Sequence, residues 1–392
     1  MIFANRVKTL KPSATLEITA KANQLKSEGY DVIGFGAGEP DFDTPEHIKE
    51  AAIKAITGGK TKYTPVAGIL ELRKAVAEKF SFDYNVKFEQ SEVIVSCGGK
   101  HSLFNIFMAI LNKGDEVIIP SPYWVSYPAM VELCEGKPVI LNTTINDNFK
   151  ISADKLRNSI TSKTKAVIIN SPSNPTGASY SRDELEALID ILKDKDIFII
   201  SDDIYYKITY DNYKFINAVM LKPELKDKVI IVNGVSKTYS MTGWRIGFTI
   251  ANKELIGIMS KIQGQSTSNP TSIAQYAALE AIAGDQSCID TMVREFEKRR
   301  DFIVNELNGI KGVKCYNPEG AFYVFPDISD VIKNKNLKGS SDFSAKLLEE
   351  QKVAVVPGIA FGNDNHIRLS YATSMENIKE GLKRIKDFCE NE

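Results

Sequence analysis

Short, continuous apolar runs recur through the middle of this chain, and each run ends in a polar loop. Three of them cover residues 166–169, 197–200 and 229–232, and stretches with a helical spacing of apolar positions lie between such runs. Strands that are apolar on both faces are typical of a mostly parallel sheet covered by helices on both sides. The pattern therefore predicts an α/β fold, in which ligands bind beyond the carboxyl ends of the strands.

The last quarter of the chain repeats this alternation on a smaller scale. Residues 289–307 have the apolar spacing of a long helix, which could link two domains. After it, apolar runs at residues 322–325, 353–358 and 366–371 alternate with further helical stretches. We therefore predict a second, smaller α/β domain in this part of the chain.

The composition argues against several classes of protein. The chain has 392 residues, of which 43% are apolar, and this is enough material for two domains. Its net charge of −1 creates no field that would attract nucleic acid or an anionic membrane. No apolar run reaches the ~18 residues of a transmembrane helix, and residues 1–24 lack the core of a signal peptide. We expect a cytoplasmic protein without nucleic-acid or membrane partners.

The cysteines and histidines indicate no metal site. The five cysteines are scattered, and no two of them have the spacing of a zinc knuckle or a redox motif. Reduced thiols in a cytosolic protein account for them best. The three histidines are also far apart in the sequence, so nothing favours a zinc site or a catalytic triad.

Two glycine-containing loops follow strand-like runs, and neither is a nucleotide-binding motif. In the loop after residues 32–35, Glu39 occupies the third glycine position, and Pro40 blocks the helix that would receive a pyrophosphate. This disfavours a nicotinamide-dependent dehydrogenase. The second loop, residues 98–100, follows a strand-like run at residues 92–96 and lacks the spacer of a Walker loop. A helix that begins there would still offer free N–H groups to an anion.

Lys237 is the candidate reactive amine. It follows the run at residues 229–232 and has no charged residue within seven positions on either side, whereas a solvated surface lysine usually has charged neighbours. A surface lysine on a polar turn is the alternative interpretation. Other strand-like runs end close to a carboxylate, a phenol, an amide and a guanidinium, namely Asp202, Tyr205, Asn174 and Arg245. Pyridoxal phosphate requires groups of these kinds, because its aldehyde takes a lysine and its pyridine nitrogen a carboxylate.

With these groups in view, the chain resembles a known family over essentially its whole length. It is similar to the class I aminotransferases of pyridoxal-phosphate fold type I, and especially to the bacterial aspartate (aspartate/prephenate) aminotransferase subgroup. The motifs that carry the resemblance are KPSAT at 11–15, AGEPDF at 37–42, KYTP at 62–65, PYW at 122–124, NPTG at 174–177, SDDIY at 201–205, SK at 236–237, GWRIG at 243–247 and RLSY at 368–371. The resemblance implies a large cofactor-binding domain, residues 46–290, and a small domain made of residues 1–45 and 291–392.

The resemblance implies a role for each residue around the cofactor ring. Lys237 would form a Schiff base with the cofactor and then move a proton between the substrate's alpha carbon and the cofactor. Asp202 would keep the pyridine nitrogen protonated, so that the ring withdraws electrons. Tyr205 and Asn174 would hydrogen-bond the phenolic oxygen of the ring, and Trp124 would stack on its face.

The cofactor phosphate would have its own set of ligands. The resemblance implies backbone N–H groups of Gly99 and Lys100, the hydroxyl of Ser236 and the guanidinium of Arg245, whose fork matches phosphate geometry. Tyr63 would reach the phosphate bound by a neighbouring subunit. The active site would therefore be shared across a homodimer.

The substrate would be an amino acid or a 2-oxo acid, held mainly by its carboxylate. The resemblance implies that Arg368 binds the alpha-carboxylate in a bidentate manner. The backbone N–H of Gly38 would close over it, and Trp124 and Asn174 would also contact the substrate. The implied reaction is a ping-pong transfer of an amino group from aspartate to 2-oxoglutarate.

Substrate choice leaves more alternatives open. Lys100 is the candidate partner for a distal carboxylate, with Ser13 or Thr15 assisting, and Lys11 is a weaker candidate for a prephenate-like substrate. His101 stands where related sequences often carry glutamine. An aminotransferase for aromatic, alanine or prephenate substrates is therefore the near alternative. A carbon–sulfur lyase or decarboxylase on the same scaffold, or a non-catalytic domain that keeps the fold, is more distant.

Overall fold

The computed structural model describes residues 4–8 and 14–391, without the side chains of residues 5 and 14–16. The strands in this part of the chain are β1 (Ile33–Gly34), β2 (Val93–Ser96), β3 (Glu116–Ser121), β4 (Lys137–Asn142), β5 (Thr164–Asn170), β6 (Phe198–Asp202), β7 (Val229–Gly234), β8 (Gly247–Ile250), β9 (Tyr323–Val324), β10 (Val353–Ala354), β11 (Val356–Pro357) and β12 (Ile367–Ser370). The helices are α1 (Ala14–Ser27), α2 (Glu46–Thr57), α3 (Leu70–Tyr84), α4 (Gly99–Ile110), α5 (Ser126–Leu133), α6 (Ala153–Ser159), α7 (Arg182–Leu192), α8 (Ala218–Leu221), α9 (Lys253–Ser266), α10 (Ser272–Ala283), α11 (Ser287–Asn308), α12 (Ser329–Asn334), α13 (Ser340–Gln351) and α14 (Met375–Glu390). Across these described helices, none has the length and apolar character needed to cross a membrane.

Seven strands form the central sheet in the order β2-β8-β7-β6-β5-β3-β4. Strand β8 runs antiparallel to both of its neighbours, and the other adjacent pairs are parallel. The carboxyl ends of β5, β6 and β7 therefore meet at one edge of the sheet, where these strands end at Asn170, Asp202 and Gly234. The predicted α/β fold with a mostly parallel sheet is confirmed.

Both faces of the central sheet are buried, which explains the continuous apolar runs. Successive side chains of a strand point to opposite faces. In β7, Val229 and Ile231 belong to one apolar core, whereas Ile230 and Val232 belong to the core on the other face. Helices α2, α3, α7 and α10 contribute to the first core, and α4, α5 and α9 contribute to the second. Burial of each such side chain contributes roughly 1.5–3 kcal/mol to the stability of the fold. The two cores therefore fix the positions at which strands β5, β6 and β7 end.

A second group of elements surrounds a separate apolar core. Strands β11, β12 and β9 form a small antiparallel sheet, and β1 pairs in parallel with β10. Helices α11, α13 and α14 contribute to this core. The first strand of the chain is thus paired with a strand near its C-terminal end. The division into residues 46–290 against residues 1–45 and 291–392 stays a prediction.

Several elements differ from the sequence prediction at their limits. The helical pattern of the sequence extends to Gly29, whereas helix α1 ends at Ser27. The run predicted as one strand at residues 353–358 forms β10 and β11, which pair with different strands on either side of Val355. Strand β4 is missing from the prediction because it is a half-exposed edge strand, in which Lys137 and Pro138 interrupt the apolar pattern.

Candidate active site

A cavity of about 390 Å³ opens at the carboxyl ends of β5, β6 and β7. The central sheet and its loops line one side, and the loop after β1 together with β9 and β12 lines the other. Most residues with a predicted site role line this cavity: Gly38, Gly99, Lys100, Trp124, Asn174, Asp202, Tyr205, Ser236, Lys237, Arg245 and Arg368. The structure thus brings together residues from seven separate segments of the chain.

Lys237 lies in the cavity wall, three residues after β7. Its Nζ donates a hydrogen bond to the backbone oxygen of Gly38, which belongs to the loop after β1. Burial lowers the pKa of the amine to about 8; the nearby Glu39 carboxylate opposes this change, while the positive charge of Arg368 adds to it. At pH 7 roughly a tenth of such an amine is unprotonated and able to act as a nucleophile or base, far more than of a lysine with the ordinary pKa.

Asp202 is the last residue of β6, and its carboxylate is buried beside the cavity. The hydroxyl of Tyr127 donates to its Oδ2 at 2.5 Å, and the backbone N–H of Ile204 approaches its Oδ1 at 3.4 Å. Burial raises the pKa of Asp202 to about 6, although the Tyr127 hydrogen bond opposes the shift. A carboxylate in this position can stabilise a protonated ring nitrogen, because a cationic partner reduces the cost of burying its charge.

The N-terminus of α4 forms an anion-binding corner with Arg245. The first N–H groups of a helix have no intrahelical acceptor and are therefore free to bind an anion. Gly98 precedes the helix with a φ of +91°, and a Cβ at this position would lie 2.5 Å from Nη2 of Arg245. Gly247 is equally constrained, because its Cβ would lie 2.4 Å from the backbone nitrogen of Gly99. Glycine at both positions therefore lets the guanidinium lie directly beside the helix end.

Trp124 and Lys100 lie together on another part of the wall. The indole of Trp124 packs edge-to-face on Tyr127, with the ring centroids 5.3 Å apart, so it is held in a fixed orientation. Nζ of Lys100 lies 5.0 Å from the centroid of the Trp124 ring. Burial lowers the pKa of Lys100, and the positive charge of Arg245 adds to the effect. A flat ring could stack on the indole with a cation close to one end.

Arg368 is a buried guanidinium on the opposite wall. Its Nη1 donates to Oδ1 of Asn174 at 3.1 Å, and its Nη2 donates to the backbone oxygen of Gly36 at 2.7 Å. Its Nε has no hydrogen-bond partner, and no carboxylate within the described ranges pairs with it. Because a buried cation without an anionic partner costs several kcal/mol, this arrangement favours an anionic ligand. Since Oδ1 of Asn174 accepts from Arg368, the amide N–H₂ is the side left to donate to a ligand.

Two predicted site residues do not line the cavity as the structure describes it. The side chain of Tyr63 is 92% exposed, far more than a residue that contacts a ligand in its own chain. Its predicted role in a neighbouring subunit is not tested by a single chain. The side chain of Thr15 lies outside the described residues, and so do Ser13 and Lys11.

The cavity also contains polar residues that the sequence analysis gave no role. They are Thr19, Glu39, Ser126, Tyr127, Asn170, Thr242 and Tyr323. Glu39 accepts a hydrogen bond from the hydroxyl of Thr242 at 2.7 Å. Tyr127 and Asn170 both contact Asp202: the first through its carboxylate and the second through its backbone oxygen, at 2.9 Å. Position after a strand is a signal that could have found Asn170, whereas nothing in the local sequence distinguishes Tyr323 from the many core aromatics.

The arrangement can hold one extended ligand. It would have an anionic group at the start of α4, a flat ring between Trp124 and the opposite wall, and a ring nitrogen near Asp202. A second anion, bound by Arg368, would be close enough to share the cavity with the Lys237 amine. Within the described part of the chain, no cluster of histidine, cysteine or carboxylate side chains could hold a metal ion.

Comparison with known proteins gives a consistent result over nearly the whole chain. The model of the family "Aminotransferase class I and II" matches residues 30–385. The aspartate aminotransferase of Bacillus subtilis is 49% identical over 390 residues, which cover 100% of this chain and 99% of that protein. A probable aspartate/prephenate aminotransferase of Rickettsia felis is 52% identical, covering 99% of this chain and 96% of the relative.

Solved structures agree with these matches. The aspartate aminotransferase of Rhizobium meliloti superposes with a TM-score of 0.95 at 46% identity, covering 99% of each chain. The aspartate aminotransferase of Thermus thermophilus, solved with maleate, superposes with a TM-score of 0.94 at 42% identity, covering 99% of this chain and 100% of the other. The similarity thus includes both parts of the molecule and the cavity between them.

Proposed function

Because the chain belongs to the aminotransferase class I and II family, we propose that it transfers the amino group of L-aspartate to 2-oxoglutarate in a ping-pong reaction. The family predicted from the sequence motifs is confirmed by the match of the family model. The observation that best supports a dicarboxylic substrate is the charge of the side chains that line the cavity. Two carboxylates and four cationic side chains line it: Glu39, Asp202, Lys100, Lys237, Arg245 and Arg368. This excess of positive charge suits a phosphorylated cofactor together with a dicarboxylic substrate.

The family generally depends on pyridoxal phosphate, and the residues of this cavity fit that cofactor. The partly buried amine of Lys237 has a lowered pKa, and the corner formed by α4 and Arg245 suits a phosphate. The buried carboxylate of Asp202 forms no ion pair within the described part of the chain. When bound, pyridoxal phosphate supplies an aldehyde for an amine and a ring that withdraws electrons from the substrate. We propose that Asp202 faces the ring nitrogen, Trp124 stacks on the ring, and Ser236 joins the phosphate ligands.

Different residues of the cavity would transfer the proton, bind the ring oxygen and bind the substrate carboxylate. Nζ of Lys237 takes the proton from the alpha carbon of the bound amino acid, a role that a pKa of about 8 favours near neutral pH. Tyr205 and the amide of Asn174 donate hydrogen bonds to the ring oxygen. Arg368 holds the alpha-carboxylate with both arms of its fork, and the backbone N–H of Gly38 lies near that carboxylate. Closure of the cavity around these groups would exclude water from the reacting atoms.

Replacing Arg368 with alanine should raise KM for every amino donor by roughly 30- to 1,000-fold, because a charge-assisted bidentate contact is lost. The arginine contacts the group that all amino acids share, so aspartate and alanine should be affected alike. Arg368→Lys keeps the charge without the fork, so its KM values should lie between those of the wild type and those of Arg368→Ala. Steady-state kinetics with both donors measure this, and a loss confined to aspartate would contradict the assignment.

Lys100 is the proposed partner of the distal carboxylate, with Thr15 as a further candidate whose side chain lies outside the described residues. Lys100→Ala should lower kcat/KM for aspartate by roughly 10- to 100-fold, because one charge-assisted contact is removed. The value of kcat/KM for alanine should change by less than about threefold, because alanine has no distal carboxylate and so makes no contact with Lys100. Lys100→Arg should restore most of the aspartate activity. Equal losses for the two donors would show that Lys100 acts on the cofactor instead.

We further propose a homodimer with shared active sites in the cytoplasm. Tyr63 is almost fully exposed in the single chain, and Ile53, Ile56 and Leu70 on helices α2 and α3, which precede and follow it in the sequence, are about half exposed. A group of large apolar side chains left exposed is typical of an interface. In the dimer, Tyr63 of one subunit would contact the cofactor phosphate of the other.

A panel of amino donors with two acceptors tests the proposed function. Purified protein with pyridoxal phosphate should convert aspartate and 2-oxoglutarate much faster than alanine or phenylalanine. Prephenate belongs in the panel as an acceptor, because the Rickettsia felis relative is named for it. Release of pyruvate and ammonia from cystathionine without amino transfer would instead indicate a carbon–sulfur lyase.

A further inference from the structure

Tyr323, which no part of the proposed mechanism uses, lies between the two halves of the site. It is fully buried, belongs to β9 and lines the cavity. In the small antiparallel sheet Tyr323 pairs with Ser370, so Arg368 is its diagonal neighbour on the adjacent strand. Its position places one side chain in contact with both the ring-binding and the carboxylate-binding groups.

The hydroxyl of Tyr323 contacts the hydroxyl of Tyr205. The two oxygens are 2.9 Å apart, and both side chains are buried. Burial raises the pKa of each hydroxyl, so each carries its single proton at neutral pH. If Tyr205 donates its proton to a ligand in the cavity, the proton between the two oxygens must come from Tyr323.

The ring of Tyr323 has a separate partner. The guanidinium carbon of Arg368 lies 4.6 Å from the centroid of the Tyr323 ring and 5.0 Å from that of Phe361. The guanidinium therefore contacts two aromatic rings, while Asn174 and Gly36 accept hydrogen bonds from its nitrogens. Such a contact between a cation and an aromatic face favours one orientation of the fork.

The loop after β1 also restricts the Tyr323 hydroxyl. A Cβ at Gly38 would lie 3.1 Å from the Tyr323 oxygen, a contact tighter than nine in ten real Cβ contacts, so the backbone of this loop lies close to the hydroxyl. The same glycine accepts a hydrogen bond from Lys237 through its backbone oxygen. Tyr323 is thus fixed from three sides, and its hydroxyl has little room to turn away from Tyr205.

We propose that Tyr323 is a positioning residue with two separable effects: its hydroxyl polarises Tyr205, and its ring orients Arg368 for the substrate carboxylate. A hydroxyl that accepts a hydrogen bond becomes a stronger donor, by about 10–30% per bond. Tyr205 would therefore stabilise negative charge on the oxygen of the bound ring better with Tyr323 present. This inference rests on the proposed function, because it assumes that Tyr205 faces the ring oxygen of pyridoxal phosphate.

The test compares Tyr323→Phe, Tyr323→Leu and Tyr205→Phe, each loaded with pyridoxal phosphate. A pH titration of the visible absorbance reports how strongly the ring oxygen is stabilised. Tyr205→Phe should move the midpoint upward by roughly 1–2 pH units, because a charge-assisted hydrogen bond is lost. Tyr323→Phe should move it upward by roughly 0.2–0.5 units, because the bond from Tyr205 is only weakened.

Kinetics separate the ring from the hydroxyl. Tyr323→Phe keeps the aromatic face, so KM for aspartate should stay within about twofold of the wild type. Tyr323→Leu should raise KM for aspartate and alanine by about 2- to 30-fold, because the cation–π contact is lost. Tyr371→Phe is the matched control: Tyr371 is equally buried and contacts the hydroxyl of Tyr210 at 3.3 Å, outside the cavity. It should leave both the midpoint and KM unchanged.

The possible failures are distinguishable. A midpoint that moves in Tyr205→Phe but not in Tyr323→Phe would overturn the hydroxyl effect while leaving the proposed function intact. Equal KM values for the phenylalanine and leucine variants would overturn the ring effect. If neither phenylalanine variant moves the midpoint, Tyr205 does not face the ring oxygen and the inference falls. A wild-type protein that fails to bind pyridoxal phosphate would contradict the proposed function itself.

Discussion

Replacing Lys237 with alanine should abolish amino transfer, with a loss of at least about 1,000-fold in kcat, because the variant lacks both the nucleophilic amine and the proton-transfer group. The structure explains why this lysine suits the role. Its amine lies in the cavity wall, its pKa is lowered to about 8 by burial, and its hydrogen bond to Gly38 aims it into the cavity. Borohydride treatment of wild-type protein loaded with pyridoxal phosphate should leave the cofactor attached at Lys237, as mass spectrometry would show.

Lys207 provides a matched control for this variant. It is also partly buried, and burial lowers its pKa as well, but its Nζ pairs with Asp83 at 3.2 Å and does not line the cavity. Lys207→Ala should therefore keep the visible absorbance and the attachment of the cofactor. Attachment at a lysine other than Lys237 in the wild type would contradict the assignment, and so would full activity of Lys237→Ala.

Replacing Asp202 with asparagine should lower kcat by roughly 100- to 1,000-fold, because a neutral amide cannot stabilise positive charge on the ring nitrogen. The shape of the site should persist, since the amide oxygen can still accept the hydrogen bond from Tyr127. Binding of pyridoxal phosphate should weaken as well. Rapid-mixing kinetics that follow the half-reaction with aspartate would measure the loss directly.

Although Asp202→Asn should lower kcat, it should raise the thermal stability of the cofactor-free protein above neutral pH. The pKa of Asp202 is raised to about 6 in the folded state, against 3.8 for the ordinary group. A raised pKa means that this group stabilises the fold only while protonated; the contribution is complete below about pH 4 and is lost as the pH rises through about 6. At pH 8, cofactor-free Asp202→Asn should therefore unfold at a higher temperature than the wild type.

Asp203 is the matched control for Asp202. Burial raises its pKa to about 6 as well, but its carboxylate accepts hydrogen bonds from Ser201, Asn217 and Tyr84 and does not line the cavity. Asp203→Asn would place an N–H₂ group among donors, so it should lower stability while changing kcat by less than about tenfold. A large loss of kcat in a well-folded Asp203→Asn protein would show that burial, rather than contact with the cofactor, determines the effect of Asp202→Asn.

The sequence alone was sufficient for the fold class and for the side of the sheet that carries the site. Both follow from local rules: a strand buried on both faces must be apolar at every position, and the polar residue after it must lie at the sheet edge. Asp202, Asn174 and Lys237 were located by this rule together with their motifs, and all three line the cavity. Strand β4 was not predicted, because it lies at the side of the sheet and is only half buried. Its sequence therefore lacks the continuous apolar run by which the buried strands were recognised.

Contacts between distant segments could be decided only by the tertiary structure. Tyr323 and Tyr205 are more than a hundred residues apart, and no periodicity of the chain indicates that their hydroxyls meet at 2.9 Å. The hydrogen bond from Tyr127 to Asp202 and the aromatic contacts of Arg368 also join residues that are far apart in the sequence. The sequence determined which chemical groups stand at the strand ends, because burial constrains each strand on its own. Packing of the smaller sheet against the cavity decided which of those groups touch, because those contacts depend on how whole elements are placed.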